Sequence, residues 1–417
     1  MYLKRKWMSW KYPFLLLFGV GLSNVGDWIY LIALNLIILD ITGSPLAVAM
    51  LYILKPAAVL CTNFWAGSMI DRLHQRNLMV GLDMLRAMLT ALLPLFSSIW
   101  VIYGLVLLIN MASSVFAPTS MAYITKLVPS GGRKQFNSLR SLVDSGGFLI
   151  GPAIAGVLFM IGSPWIAIYV NAVTFLASGL IMFCLPELKK APKAQSDRKL
   201  LSFDLVKSDW KVVFKFSRNY FYVTAVYVLF GLMMVMAAAI DSLEAAFSKE
   251  VLSLTDATYG FLVSIAGAGI AFGAFVNTLT ARKLSTQVMM GAGPVMVSGG
   301  YIIYAFSSTF TMAAVGFFVL SFSLAFANTG FHTFYQNNIP IDMMGRIGSV
   351  YGLLEAVCII VVTTAFGMAA QLISIQIVVI VGSFLMLGTT VILWLVSFHY
   401  AKRISGEMIE NGPINIR

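Results

Sequence analysis

Charge is what this sequence has least of. Asp, Glu, Lys and Arg together make up 11% of its 417 residues, against roughly 25% in an ordinary soluble domain. A soluble chain of this length would form two or three domains with polar surfaces, and there are too few charges here to cover them. Histidine and cysteine are scarce as well, three of each. No H-E-x-x-H, no G-x-S-x-G and no phosphate-cradling glycine loop occurs, so zinc hydrolysis, serine-nucleophile chemistry and self-contained ATP-driven pumping lack their residues. Cys61, Cys184 and Cys358 all fall within apolar runs. An odd count placed there argues against a disulfide framework and for small buried hydrophobes. No enzyme activity, cofactor or metal is expected.

What the sequence has in excess is apolar length. Hydrophobic residues reach 59%, and a membrane-crossing helix needs about 20 of them in succession. Spans are expected near 13–39, 44–70, 78–97, 99–125, 137–161, 163–186, 219–246, 257–280, 288–306, 309–337, 346–372 and 374–400. These runs are far longer than the ~10 residues of a barrel strand. The fold expected is therefore an all-α membrane protein of twelve transmembrane helices. Very short turns, such as those at Ser98, Gly162-Ser163 and Ser374, make consecutive helices antiparallel neighbours.

Lys and Arg set the expected orientation. Lys4, Arg5, Lys6 and Lys11 precede the first span, whose apolar run from Pro13 to Leu39 is too long for a cleaved signal peptide. Arg72, Arg76, Lys126, Arg133, Lys134, Arg140, Arg282, Lys283 and Arg346 fall in loops on the same side, with nine more in 187–218, whereas the opposite side has only Lys249. The asymmetry predicts a multi-pass protein of the inner (cytoplasmic) membrane with both termini in the cytoplasm. The net charge of +11 is then a topology signal, and no soluble basic module is present to bind nucleic acid.

The longest polar stretch, 187–218, divides six spans from six. The domains expected are 1–186, a cytoplasmic linker at 187–218, and 219–417. Trp210 and Phe214 in the linker suggest an amphipathic helix at the membrane interface. The halves share faint similarity. Asn63–Gly81 aligns with Gly273–Gly291, placing Arg72 on Arg282 and Gly81 on Gly291, and Phe116-Ala-Pro-Thr119 matches Phe326-Ala-Asn-Thr329. A duplicated six-helix unit marks a transporter built from repeats, here two pseudo-symmetric bundles.

Several segments carry a family resemblance. Gly67-Ser-Met-Ile-Asp71-Arg72-Leu-His-Gln-Arg76 resembles the loop signature between the second and third spans of the major facilitator superfamily, with His74 where that signature has Gly. Gly147-Phe-Leu-Ile-Gly151-Pro152-Ala-Ile-Ala-Gly156 is similar to the superfamily's export-associated motif in the fifth span, with Ala155 for a glycine. Asn24-Val-Gly26-Asp27-Trp28, Thr42-Gly-Ser-Pro45, Asp83-Met-Leu-Arg86 and Gly345-Arg346 resemble the macrolide-efflux and siderophore-exporter branch. The resemblance implies the major facilitator fold, working as a monomer. It implies that Asp71 latches a cytoplasmic gate near Arg346, beside the positive end of a helix. It also implies that the glycines of the fifth span form a tight seam. On the residues alone, those glycines allow close helix approach, and Pro152 removes a backbone donor and is expected to kink the span.

Charges at hydrocarbon depth are costly and are functional candidates by default. Asp27, Lys55, Asp83, Arg86 and Glu355 each lie within a span. On a rise of 1.5 Å per residue, Asp27 and Lys55 lie about 20 and 22 Å from the cytoplasmic ends of their spans and are expected to pair. Asp83 and Arg86 at i and i+3 share one helix face, as do Arg140 and Asp144. Such pairs can be purely structural. Glu355, ~14 Å into its span, has no level partner, and a lone carboxyl in hydrocarbon favours its neutral form. Glu355 is the first candidate for proton coupling and Asp27 the second. Asp241 and Glu244 are expected to be exposed at an outer helix end. Asn328, His332 and Tyr335 share a face of the tenth span that suits a cavity, and methionines with Phe14, Phe18, Trp28, Phe230 and Met233 suit amphiphilic molecules. The function expected is proton-coupled efflux of small amphiphilic compounds. The alternatives are a dedicated exporter of one metabolite or siderophore, or a membrane sensor or assembly factor that transports nothing.

Overall fold

The computed structural model describes residues 2–62, 66, 70, 73–128, 133–188, 203–280, 283–339 and 341–411. Gly67, Asp71 and Arg72 of the loop signature lie outside these described residues, as does 189–202 of the linker. All regular structure among the described residues is helical. In order it comprises α1 (Tyr2–Thr42), α2 (Pro45–Thr62), α3 (Gln75–Leu92), α4 (Ile99–Leu127), α5 (Arg133–Ile161), α6 (Pro164–Phe183), α7 (Phe203–Asn219), α8 (Phe221–Asp241), α9 (Asp256–Thr280), α10 (Thr286–Ala305), α11 (Phe310–Asn338), α12 (Ile341–Leu372) and α13 (Ile375–Asn411). A short helical turn and a π-turn, Glu244–Ala246 and Phe247–Val251, separate α8 from α9. Twelve of the thirteen helices, all but α7, are long and apolar enough to cross a membrane, and the chain is a multi-pass membrane protein.

Local chemistry explains where helices stop and restart. Gly43 adopts a left-handed backbone, φ +59°, and its N–H reaches the Leu39 carbonyl at 2.7 Å, which is the αL cap that glycine permits. Ser44 then accepts from the Ala47 N–H, and Pro45 opens α2, where its missing N–H costs nothing. The Thr42-Gly-Ser-Pro45 segment is thus a stop-and-start signal. Ser163, Ser285 and Thr309 cap α6, α10 and α11 in the same manner.

The chain divides into two compact units. The first holds 1–202 together with 253–267, and the second holds 203–252 with 268–417. α7 therefore belongs with the second unit, and α9 contributes its first half to one unit and its second half to the other. Within the first unit α1 packs on α5 and α6, while α3 packs on α4 and α6. Within the second, α8 packs on α12 and α13, while α10 packs on α11 and α13. Counting only the membrane-crossing helices of each half of the chain, the first thus joins the fifth and sixth, and the third joins the fourth and sixth. That shared order is the structural form of the faint sequence repeat. Two of the cysteines differ from expectation: Cys61 on α2 and Cys184 just after α6 are exposed and Cys358 is half-buried, and all three are free thiols. Apolar helices without surrounding protein on every side leave such positions open to lipid.

Candidate functional site

In the first unit, the helix-face spacing of Asp83 and Arg86 on α3 produces an ion pair between their side chains, both buried. The pair is tied to its neighbours on both sides. Ser178 of α6 donates to Asp83 Oδ2 at 2.8 Å, and Arg86 donates from Nη1 to Ser113 of α4 at 3.4 Å. The guanidinium lies between two rings, 4.5 Å from the Phe116 centroid and 4.3 Å from that of Phe175. Arg is suited to this place because its weakly hydrated plane stacks on aromatics while its edges donate. Its Nε has no partner among the described residues.

Asp27 on α1 is half-buried and makes no hydrogen bond or ion pair among the described residues. The pairing with Lys55 expected from depth is not found. Lys55 is exposed, and Arg86, Lys55 and Asp83 are the charges in the neighbourhood of Asp27. Arg86 thus holds Asp83 by contact and has Asp27 in its neighbourhood. α1 comes close to α6 here because residue 26 is glycine. A Cβ at Gly26 would run into Thr174 and Asn171, themselves joined by a 3.0 Å hydrogen bond.

The glycines of α5 face two ways. A Cβ at Gly147 would lie 2.9 Å from Asn24 Nδ2, and one at Gly151 would meet Trp28 of α1 at 2.5 Å. Gly156 faces α9 instead, where a Cβ would lie 2.9 Å from the Ala257 carbonyl. α9 answers with small residues of its own. A Cβ at Gly260 would lie 2.8 Å from the Gly156 backbone and 2.9 Å from the Pro152 carbonyl, and one at Gly267 would lie 2.5 Å from Leu149 Cα. Between them, Ser264 donates to the Leu149 carbonyl at 2.7 Å. Sequence reasoning missed Gly260, Ser264 and Gly267, although their i, i+4, i+7 spacing of small residues is the usual signal for helix contact in membranes. Helix α5 continues without a break through the buried Pro152. Gly260→Val should therefore push the two backbones apart. Overpacking of this kind costs about 1–3 kcal/mol, read as a lower melting temperature of the purified protein. An unchanged melting temperature would contradict the contact.

Other expected site residues are placed as follows. Arg76 donates to the Leu185 carbonyl at 3.2 Å and fixes the start of α3 to the end of α6. His74 and Glu187 form an exposed contact at 2.9 Å, worth little on a surface. Asp241 is not simply exposed: it is half-buried and accepts from Tyr301 Oη of α10 at 2.8 Å. Met233 belongs to the buried core, whereas Phe14 and Phe18 are exposed.

In the second unit the tenth-span residues join an aromatic cluster. Phe230 of α8 stacks on Phe331 of α11, centroids 4.1 Å apart and planes at 5°. Tyr227 lies 5.2 Å from Phe331, 5.9 Å from Tyr335 and 4.6 Å from Tyr351 of α12. Glu355, one turn beyond Tyr351, is half-buried and near enough to Tyr227 for its charge to act on that phenol. Glu355 makes no hydrogen bond or ion pair among the described residues. His332 is exposed beside the Phe331 ring, and Asn328 is half-buried next to Thr329, which accepts from Asn277 at 2.6 Å. Tyr227 and Tyr351 were not singled out in the sequence. Tyr351 had a signal, its i−4 spacing from Glu355, and Tyr227 had none. Among the described residues, no three or more His, Cys, Asp or Glu group in a way that could hold a metal ion.

Comparison with known proteins gives the family and the fold. The sequence profile of the Major Facilitator Superfamily matches residues 16–363. An uncharacterized MFS-type transporter of Bacillus subtilis (strain 168), YfiS, is 25% identical over 353 residues, 82% of each chain. Among solved structures, the nucleoside transporter NupG superposes with a TM-score of 0.73 at 13% identity, over 93% of this chain and 99% of that one. A bacterial homolog of the human lysosomal transporter Spinster, inward-facing and unoccupied, gives 0.67 at 14% identity, over 94% and 98%.

Proposed function

The chain belongs to the Major Facilitator Superfamily, and from that premise we propose that it is a proton-coupled exporter of small amphiphilic compounds, cationic ones foremost. Membership makes it a transporter; the coupling ion, direction and cargo are the proposal. The observation that carries it is one half-buried carboxyl in each unit, Asp27 and Glu355, without hydrogen bond or ion pair among the described residues. A charge at the centre of a span costs about 2.5–3.5 kcal/mol even on lenient insertion scales. Binding a proton removes that charge, so each carboxyl has reason to pick up a proton when dry and release it when wet. Rocking between two access states converts that exchange into transport.

The cargo class is supported by the surroundings of Glu355. Stacked rings at Phe230 and Phe331, with Tyr227, Tyr335 and Tyr351 around them, offer flat apolar and π-bearing surface beside a carboxyl. Aromatic faces and a carboxylate together favour an apolar cation. NupG shares the fold and carries nucleosides by name, so the cargo must be argued from side chains and not from the fold. Efflux is supported by the fifth-span motif Gly147, Gly151, Pro152 and Gly156, and cytoplasmic termini by the Lys/Arg asymmetry. Movement of ethidium, an aromatic cation, against its gradient in proteoliposomes energised only by a pH difference is the test.

A further inference from the structure

The mechanism proposed above makes no use of α7, the helix that does not cross the membrane. Its inner face is fixed to the second unit: Val213 and Phe216 are buried, and Ser217 shares a 2.6 Å hydrogen bond with Tyr351 Oη. Its outer face and the start of α8 leave four aromatic side chains uncovered, Trp210 at 41%, Phe214 at 74%, Tyr220 at 51% and Phe221 at 76% exposure. Lys211, Lys215 and Arg218 are exposed beside them, and no acidic residue occurs from 210 to 221.

We infer that this face docks on anionic phospholipid headgroups. Three features select lipid over another occupant. Trp and Tyr with uncovered apolar bodies and polar tips are the residues that settle at headgroup level. The face runs through Tyr220 directly into α8, a helix that crosses the bilayer, so it starts where the bilayer surface must be. Its charge is of one sign, complementary to acidic headgroups. A helix with one face wedged among headgroups and basic residues beside it is the pattern of interfacial binding.

The docking has a route inward. Ser217 is held by Tyr351, which also donates to Thr224 at 3.4 Å and lies tilted against the Tyr227 ring, centroids 4.6 Å apart. Glu355 follows one turn later on α12. Lipid seated on α7 therefore bears, through one hydrogen bond, on the aromatic cluster beside Glu355. The lipid surface itself stands whether or not the transport proposal holds.

The experiment uses the full chain in nanodiscs, with Cys61, Cys184 and Cys358 replaced by Ala and Phe214→Cys bearing a polarity-sensitive dye. Raising the fraction of phosphatidylglycerol in phosphatidylcholine should shift the emission to the blue, and added salt should reverse the shift. Each basic residue near an anionic surface is worth about fivefold. Lys211→Gln, Lys215→Gln and Arg218→Gln together should then weaken the response on the order of a hundredfold. Wild-type protein, unlabelled, should melt at higher temperature in discs containing phosphatidylglycerol, and the triple variant should not. Equal emission in the two lipids, or an undiminished response in the triple variant, overturns the inference. So does the same shift on adding inorganic phosphate to pure phosphatidylcholine discs, which would reveal a phosphate site. A shift that appears only with another protein present overturns it too.

Discussion

Glu355→Gln is expected to abolish pH-driven accumulation of ethidium while leaving ethidium binding and downhill exchange in place. The amide keeps the size of the carboxyl and mimics its protonated form, but it cannot titrate. Glu355 is half-buried, beside the Tyr227 ring, without an ion-pair partner among the described residues, so the substitution strands no buried cation. Protein yield and melting temperature should match wild type. Loss of uphill transport with exchange preserved separates a coupling residue from one that merely holds the site together. Asp27→Asn is expected to do less in this assay. If Glu355→Gln still concentrates ethidium and Asp27→Asn does not, the coupling carboxyl is in the first unit.

The second large effect is structural. Arg86→Met should destabilise the protein by about 3–5 kcal/mol, because it leaves the Asp83 carboxylate buried without its countercharge. Ser178 would remain as a single donor. The substitution also removes a cation from the neighbourhood of Asp27. Asp83→Asn added to Arg86→Met should recover most of the loss, since a neutral pair of similar shape removes the stranded charge. Thermal unfolding of the three proteins in one detergent measures this. Should the double variant melt as low as the single one, the packing of the guanidinium between Phe116 and Phe175, and not its charge, is what holds α3, α4 and α6 together.

Much of the architecture was legible because lipid imposes it. Every backbone polar group in a bilayer must be satisfied within its own helix, so apolar runs of sufficient length read directly as spans. Twelve were expected and twelve helices meet the length and composition. The Asp83–Arg86 contact was legible because helix periodicity alone puts i and i+3 together. The surroundings of Asp27 were not. Counting residues gives height along a helix but not which neighbour the side chain faces. Asp27 and Lys55 are level by that count, yet α1 packs chiefly on α5 and α6 and the Lys55 side chain is exposed. The partner of the fifth-span glycines was missed for a related reason. Gly260, Ser264 and Gly267 show the small-residue spacing, but only packing reveals that α9 is the helix that comes close. The aromatic cluster joins α8, α11 and α12, and no short-range pattern links positions 227, 331 and 351.

The most direct measurement is ethidium flux in proteoliposomes containing the purified wild-type chain, with the pH difference as the sole energy source. Ethidium should move against its gradient when the difference is imposed, stop when a protonophore dissipates it, and reverse when the difference is inverted. Vesicles without protein should do none of this. Transport that is indifferent to the pH difference, or that follows a sodium gradient instead, would contradict proton coupling through Glu355 and Asp27.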